Sequence, residues 1–254
     1  MRGFVPMVGK ELREIRRTWR LWVVPGMILF FAVTGPIMAL LTPKLLASVA
    51  SQQPGVVVRV PDPTALDAYA QFVKGLSQLV IIALIIGGAG SVSGERASGT
   101  AMLVLTKPVS RKAFVLAKLA ADLALVLVAT LVATAITLLV TRAVFPPLPA
   151  RPLVTAVAIW LVHGALTTSA VTCFSAALRT RGAAAGAGLA FLMAQAIAGI
   201  WPAAERFTFV GLTGVMGGAL RGAMPDAAWP VATGLAATLL FAVAAVTVFE
   251  RQEI

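Results

Sequence analysis

His163 is the one histidine in this 254-residue chain, and it lies inside a long apolar run. An ionisable group in such a run is a candidate for proton or ion transfer, because membranes rarely hold these groups without a function. A neutral histidine that hydrogen-bonds a neighbouring helix is the alternative, since nothing acidic lies at helical spacing from it in the same run. Thr167 and Gln195 could line a polar path beside His163, or they could simply hold helices together.

The composition gives little support for catalytic chemistry. Cys173 is the only cysteine, which excludes an intramolecular disulfide and a cysteine-based metal site. The nearest match to a nucleotide-binding loop, Gly9-Lys10, lacks the upstream glycine and the following Ser or Thr of a P-loop. We therefore predict no catalytic residues, no metal site and no cofactor in this chain, and no ATP hydrolysis of its own.

A polar stretch, residues 93–118, separates two apolar runs and carries five basic residues against one acid. Ser98, Gly99 and Thr100 offer turn and helix-cap chemistry. The apolar residues 101–105 that follow are long enough for a short helix. A plain linker between two membrane helices would need none of this internal order.

The same stretch also contains a stop signal and a new start signal. Pro108 disfavours helical backbone in the residue before it, so the short helix should end near Thr106. Ser110 can then cap a second helix that begins at Arg111. Loops that contain such helix start and stop signals usually carry function, and we predict that this one docks another protein.

The overall composition is that of a polytopic membrane protein. Hydrophobic residues make up 59% of the chain and charged residues 12%, and the mean hydropathy is +0.93. Soluble domains carry about 25% charged residues. The net charge of +11 comes from basic residues at the ends of apolar runs, so we expect no nucleic-acid partner.

About 20 apolar residues are needed to cross a bilayer as a helix. Six runs come close to or exceed that length: 21–41, 73–92, 119–140, 153–178, 183–201 and 229–249. We predict an all-α fold that forms a single transmembrane domain over residues 1–254. Residues 207–220 are too few to cross, and we expect them to be re-entrant or to lie on the surface.

Residues 1–20 predict a basic amphipathic helix that lies in the membrane interface and contacts lipid headgroups. Val8, Leu12, Ile15 and Trp19 fall on one face of this helix. A signal peptide is the alternative, but the apolar run that follows is longer than a typical signal sequence contains.

The distribution of basic residues predicts the orientation. With the N-terminus inside, 14 of the 21 Lys and Arg residues are cytoplasmic. Both termini and the loop 93–118 between spans 2 and 3 are then cytoplasmic, and residues 42–72 and 202–228 form extracytoplasmic loops. A composition rich in Ala, Gly, Val and Arg is typical of a bacterium with a GC-rich genome, so the expected location is a bacterial inner membrane.

The loop contains, in order, Glu95-Arg96, Ser98-Gly99-Thr100, an apolar stretch, Lys107-Pro108, Ser110-Arg111 and Ala117-Lys118. This order resembles the cytoplasmic loop of the type-2 ABC export permeases, in which E-R/K-x-x-G-T precedes a leucine-rich stretch, P-V/I-S-R and G/A-K. Residues 10–15 are similar to the amphipathic N-terminal helix of that family. The number of spans and the extra apolar piece before the last span also match, so the resemblance covers nearly the whole chain.

The resemblance implies a permease that pairs with a second permease, identical or homologous, and with two separate ATPase subunits that bind ATP and Mg²⁺. The loop would be the coupling helix that sits in a groove of the ATPase. Closure of the ATPase subunits on ATP would push on this helix and drive alternating access and export. The coupling residues it implies are Glu95, Arg96, Ser98, Gly99, Thr100, Met102, Leu103, Pro108, Ser110 and Arg111. No residue selects a substrate.

Two other classes of function are alternatives to a permease. An ion-coupled secondary transporter or channel would use His163, but it predicts more buried charge and two related halves with interrupted helices, which the sequence does not show. An intramembrane enzyme would need a nucleophile or a metal-ligand set, and none stands out.

Overall fold

The computed structural model describes residues 3–50, 62–106, 109–223 and 226–252. Within these ranges every regular element is helical. The helices are α1 Phe4–Arg17, α2 Arg20–Ala50, α3 Ala65–Gly75, α4 Ile81–Gly88, α5 Ser93–Ala97, α6 Thr100–Leu105, α7 Arg111–Val144, α8 Arg151–Ala177, α9 Arg181–Ala198, α10 Pro202–Phe207, α11 Leu212–Leu220 and α12 Ala228–Glu250. A π-helical segment, Leu76–Val80, joins α3 to α4, and a 3₁₀ turn, Phe209–Gly211, precedes α11.

Six helical stretches in the described ranges are long and apolar enough to cross a membrane, which confirms the predicted number. They are Leu21–Leu45, Ala65–Ala97, Arg111–Val144, Arg151–Ala177, Arg181–Ala198 and Ala228–Glu250. The second and third stretches are longer than the apolar runs in the sequence, because helices continue beyond the apolar segment into more polar residues. The region predicted as a loop over 42–72 is therefore helical up to Ala50 and again from Ala65.

Side-chain caps fix where several helices begin. Thr64 forms a capping box with Asp67, in which the Asp67 carboxylate accepts from the Thr64 N–H at 2.8 Å. Ser110 and Thr180 each accept a hydrogen bond at 3.2 Å from a backbone N–H three residues later, at the starts of α7 and α9. Ser110 was predicted from the sequence as a cap.

α8 lies at the centre of the bundle and is the most buried of the six spans. Its side chains Leu153, Trp160 and Leu166 are completely buried. It packs against α4, α7, α9, α11 and α12. α9 and α12, in contrast, leave most of their surface uncovered, including Ile197 and Leu239.

The short apolar helix α11 is packed into the bundle. Leu212, Val215, Met216 and Leu220 are buried, and the helix contacts α8 and α3. α11 is therefore part of the packed bundle, and its re-entrant or surface position relative to the membrane stays a prediction.

Candidate functional site

The loop between spans 2 and 3 folds into the two short helices α5 and α6. Gly99 separates them with a backbone φ of 72°, a left-handed conformation that favours glycine. The Ser98 and Thr100 hydroxyls hydrogen-bond each other at 2.8 Å across this turn. The last residue of α6 is Leu105, in agreement with the predicted end near Thr106, whereas Pro108 lies outside the described residues.

Five side chains from α1, α5 and α7 form a charge cluster: Lys10, Glu11, Glu14, Glu95 and Lys118. The Lys118 Nζ donates to both carboxylate oxygens of Glu11 at 3.0 Å and to Glu95 Oε1 at 2.6 Å. Lys10 Nζ contacts Glu95 Oε1 at 2.9 Å, Glu11 Oε1 at 3.0 Å and Glu14 Oε2 at 2.7 Å. The charge cluster therefore joins α1, α5 and α7 through one set of ion pairs.

The centre of the charge cluster is buried, since the side chains of Glu11 and Lys118 are each only 3% exposed. Removing one partner from a buried ion pair leaves an uncompensated charge and typically costs about 3–5 kcal/mol. Burial alone would lower the pKa of Lys10, but hydrogen bonds to Glu14 and Glu95 outweigh this effect and raise it, so Lys10 stays charged at neutral pH.

The three carboxylates of the charge cluster offer oxygens within 4.8 Å of one another. Such a grouping can bind a metal ion, but here the two lysine ammonium groups lie among the carboxylates and already neutralise much of their charge. The chemistry of the donor set is therefore that of an ion-pair network.

Arg96 and Arg111 bind the ends of two other helices. Arg96 donates to the carbonyls of Ala176, at 3.1 Å, and Leu178, at 2.8 Å, where α8 ends, and also to the side chain of Gln252. Arg111 donates to the carbonyls of Glu250, at 3.1 Å, and Gln252, at 2.7 Å, where α12 ends. Basic side chains stabilise helix C-termini because the last carbonyls lack partners in the helix.

Ser175 supports the break between α4 and α5. Its hydroxyl accepts from the N–H groups of Val92 and Ser93, both at 3.1 Å, and donates to the carbonyl of Ala89 at 2.7 Å. The chain leaves helical geometry at this break, and the hydroxyl replaces backbone hydrogen bonds that the helix has lost. Ser175 is thus a packing residue.

The apolar tip of α6 stands free of these supports. Met102 is 55% exposed and Leu103 is 69% exposed. Among the predicted coupling residues, Glu95, Arg96 and Arg111 thus make internal contacts that fix the loop, while Met102 and Leu103 are exposed.

His163 and Gln195, predicted as parts of a polar path, both line a cavity of about 640 Å³. Ser77, Gln78 and Glu205 line it as well. Thr167 does not; its hydroxyl donates to the His163 carbonyl at 2.9 Å, within α8.

Sequence reasoning missed most of the charge cluster. The partners of Lys118 in this cluster, Glu11 and Glu95, lie 107 and 23 residues away in the chain. One sequence signal does exist, because Glu11 stands midway between Met7 and Ile15 at helical spacing, and these three are the buried residues of α1.

Six helical spans and a loop fixed by buried charges define a polytopic helical membrane protein. Residues 5–210 match the family model described as ABC-2 family transporter protein, and the chain belongs to this family. A search of curated proteins finds no match. The chain is therefore a membrane permease subunit of an ABC transporter rather than an enzyme, and permeases of this kind work with an ABC ATPase.

Proposed function

We propose that this permease exports its substrate and that α6 is the coupling helix, seated in a groove of a separate ATPase subunit. The observation that carries this proposal is the exposure of Met102 and Leu103 on a loop that is otherwise fixed. An exposed apolar pair on a rigid support suits a protein partner, because burial of apolar surface drives association and a preorganised loop loses little entropy on binding.

The anchors around α6 provide a route for force. Glu95 ties α5 to α1 and α7, while Arg96 and Arg111 tie the loop to the ends of α8 and α12. A push on α6 from an ATPase that closes on ATP and Mg²⁺ would thus act on four helices together. Alternating access of the permease then follows from movement of these helices as a unit.

Two ATPase copies and a second permease, identical or homologous, complete the proposed transporter. The uncovered apolar faces of α9 and α12 offer surface for a second permease as well as for lipid. The exposed Leu12 on α1 and the exposed Trp19 just after it suit contact with the membrane interface. The proposed location is a bacterial inner membrane.

The coupling role is tested by replacing the apolar tip of α6. Tagged wild-type protein and the double variant Met102→Asp, Leu103→Asp are purified from membranes of the native organism in a mild detergent. We expect an ABC ATPase, recognised by peptides of its nucleotide-binding motifs and by ATP hydrolysis, to accompany the wild type and to be lost from the double variant.

Val5→Asp provides the matched control, because Val5 is an exposed apolar residue, at 78%, on the same side of the predicted topology but on α1. This variant should retain the ATPase. If the double variant retains it as well, α6 is not the docking element.

A further inference from the structure

The cavity beside His163 has the size of a small-molecule site. Its volume of about 640 Å³ falls within the range of about 300–1,000 Å³ that is usual for ligand pockets. It lies between the π-helical segment, α8, α9 and α11, and its apolar wall includes Ile82, Leu192, Met193, Ile200, Phe209 and Leu212.

Two residues that line this cavity each have a buried polar atom without a partner among the described residues. These atoms are Nδ1 of His163, a residue that is only 3% exposed, and Nε2 of Gln195. Buried polar groups in native proteins are almost always hydrogen-bonded, so each such atom calls for an explanation. Neither atom is itself accessible to water, so a ligand in the cavity would reach them only after a small rearrangement of the two side chains.

The π-helical segment brings two more polar side chains to the same wall. Ser77 and Gln78 lie within Leu76–Val80 and line the cavity. π-Helical turns are uncommon and occur frequently at functional sites, because the inserted residue changes where neighbouring side chains point. The local backbone is thus unusual at the place where the orphaned polar atoms lie.

Glu205 supplies the only fixed charge among the described residues that line this cavity. Its Oε1 lies close to α11, since a Cβ added at Gly214 would be 2.5 Å from that atom. Of the neighbouring ions, Arg206 pairs with Asp226 at 2.9 Å, and Arg221 lies with Glu205 along an adjacent cavity.

We propose that this cavity binds an amphipathic organic cation, the substrate class of the permease. The carboxylate of Glu205 balances the positive charge, the apolar wall receives the hydrophobic body, and His163 and Gln195 are available for hydrogen bonds. An anion would be repelled by Glu205, and a neutral apolar molecule would leave the carboxylate unused. The inference rests on the proposed transport function but concerns a different part of the molecule from the coupling loop.

The test compares two probes of nearly the same shape and opposite charge, tetraphenylphosphonium and tetraphenylborate. Purified protein in nanodiscs of zwitterionic lipid is titrated with each radiolabelled probe, and the signal of empty nanodiscs is subtracted. We expect saturable binding of tetraphenylphosphonium that weakens about fivefold or more in Glu205→Gln, since even a solvated contact at 4 Å is worth about this factor.

Gly214→Ala is a second test variant, which shifts the Glu205 carboxylate without removing its charge. The added Cβ would displace the end of the flexible Glu205 side chain and leave the packing of backbone intact. Tetraphenylphosphonium binding should weaken in this variant too. Asp62→Asn is the matched control, because this carboxylate is exposed and does not line the cavity; tetraphenylphosphonium should bind this variant as tightly as the wild type.

Equal binding of tetraphenylphosphonium by the wild type and Glu205→Gln, or equally tight binding of tetraphenylborate by the wild type, would overturn the inference. Size-exclusion profiles and helical circular dichroism establish that each variant is folded. None of these measurements needs the ATPase, so a failure here is separate from a failure of the α6 docking experiment.

Discussion

At the scale of single residues, the charge cluster shows how one buried cation can organise several helices. Lys118 has two carboxylate partners from different helices, and the surrounding protein shields these ion pairs from solvent and salt. Removing one member of the cluster should therefore lower the stability of the protein more than removing one member of an ordinary surface ion pair.

Replacing Lys118 by Met should lower stability by about 3–5 kcal/mol, because Glu11 and Glu95 lose a buried counter-charge. The check is thermal unfolding of the purified variant in detergent. Lys112→Met is the control, since Lys112 lies 3.8 Å from Glu250 and both side chains are exposed, where ion pairs are worth about 0–1 kcal/mol. Similar melting temperatures for the two variants would contradict the assigned role.

At the scale of the elements, much of the helical pattern was predictable from the sequence. The length of the apolar runs predicted the six spans, and the cap Ser110 marked the start of α7. These features are local, because capping and hydrophobicity depend on neighbouring residues. The contacts that hold α5 and α6 were not predictable, since Arg96 reaches Leu178 and Gln252 across 82 and 156 residues.

The same distinction applies to the cavity. His163 and Gln195 were recognised as candidates because polar side chains within apolar runs are visible in the sequence. Glu205 was not recognised, because it stands in a segment predicted as an ordinary loop. Only the packing of α11 against α8 brings its carboxylate to the cavity that His163 lines.

The break between α4 and α5 yields a prediction with a close internal control. Ser175→Ala should cost about 1–3 kcal/mol, because two buried N–H groups lose their acceptor. Ser169→Ala makes the same change on the same helix at an equally buried site, but the Ser169 hydroxyl has no partner in the described structure. It should be neutral or stabilising, and equal losses in thermal unfolding for both would refute the bridging role of Ser175.

At the scale of the whole molecule, the sequence predicts an orientation that chemical labelling can test. Because Cys173 is the only cysteine, Cys173→Ala gives a background without thiols. In that background, Ala203→Cys should react with a membrane-impermeant maleimide on intact cells, whereas Val5→Cys should react only after permeabilisation. The opposite pattern would place both termini outside.

The contacts of Arg96 and Arg111 with residues 250–252 also bear on the order of biogenesis. α12 is synthesised after every other described helix, so the loop that precedes α7 gains these acceptors only once α12 has been inserted. Until then, α5 and α6 lack part of their support. The loop therefore reaches its final conformation only when all the helices have been inserted. In a partly synthesised chain, α5 and α6 would be less ordered and would offer a partner protein a less well-defined binding surface.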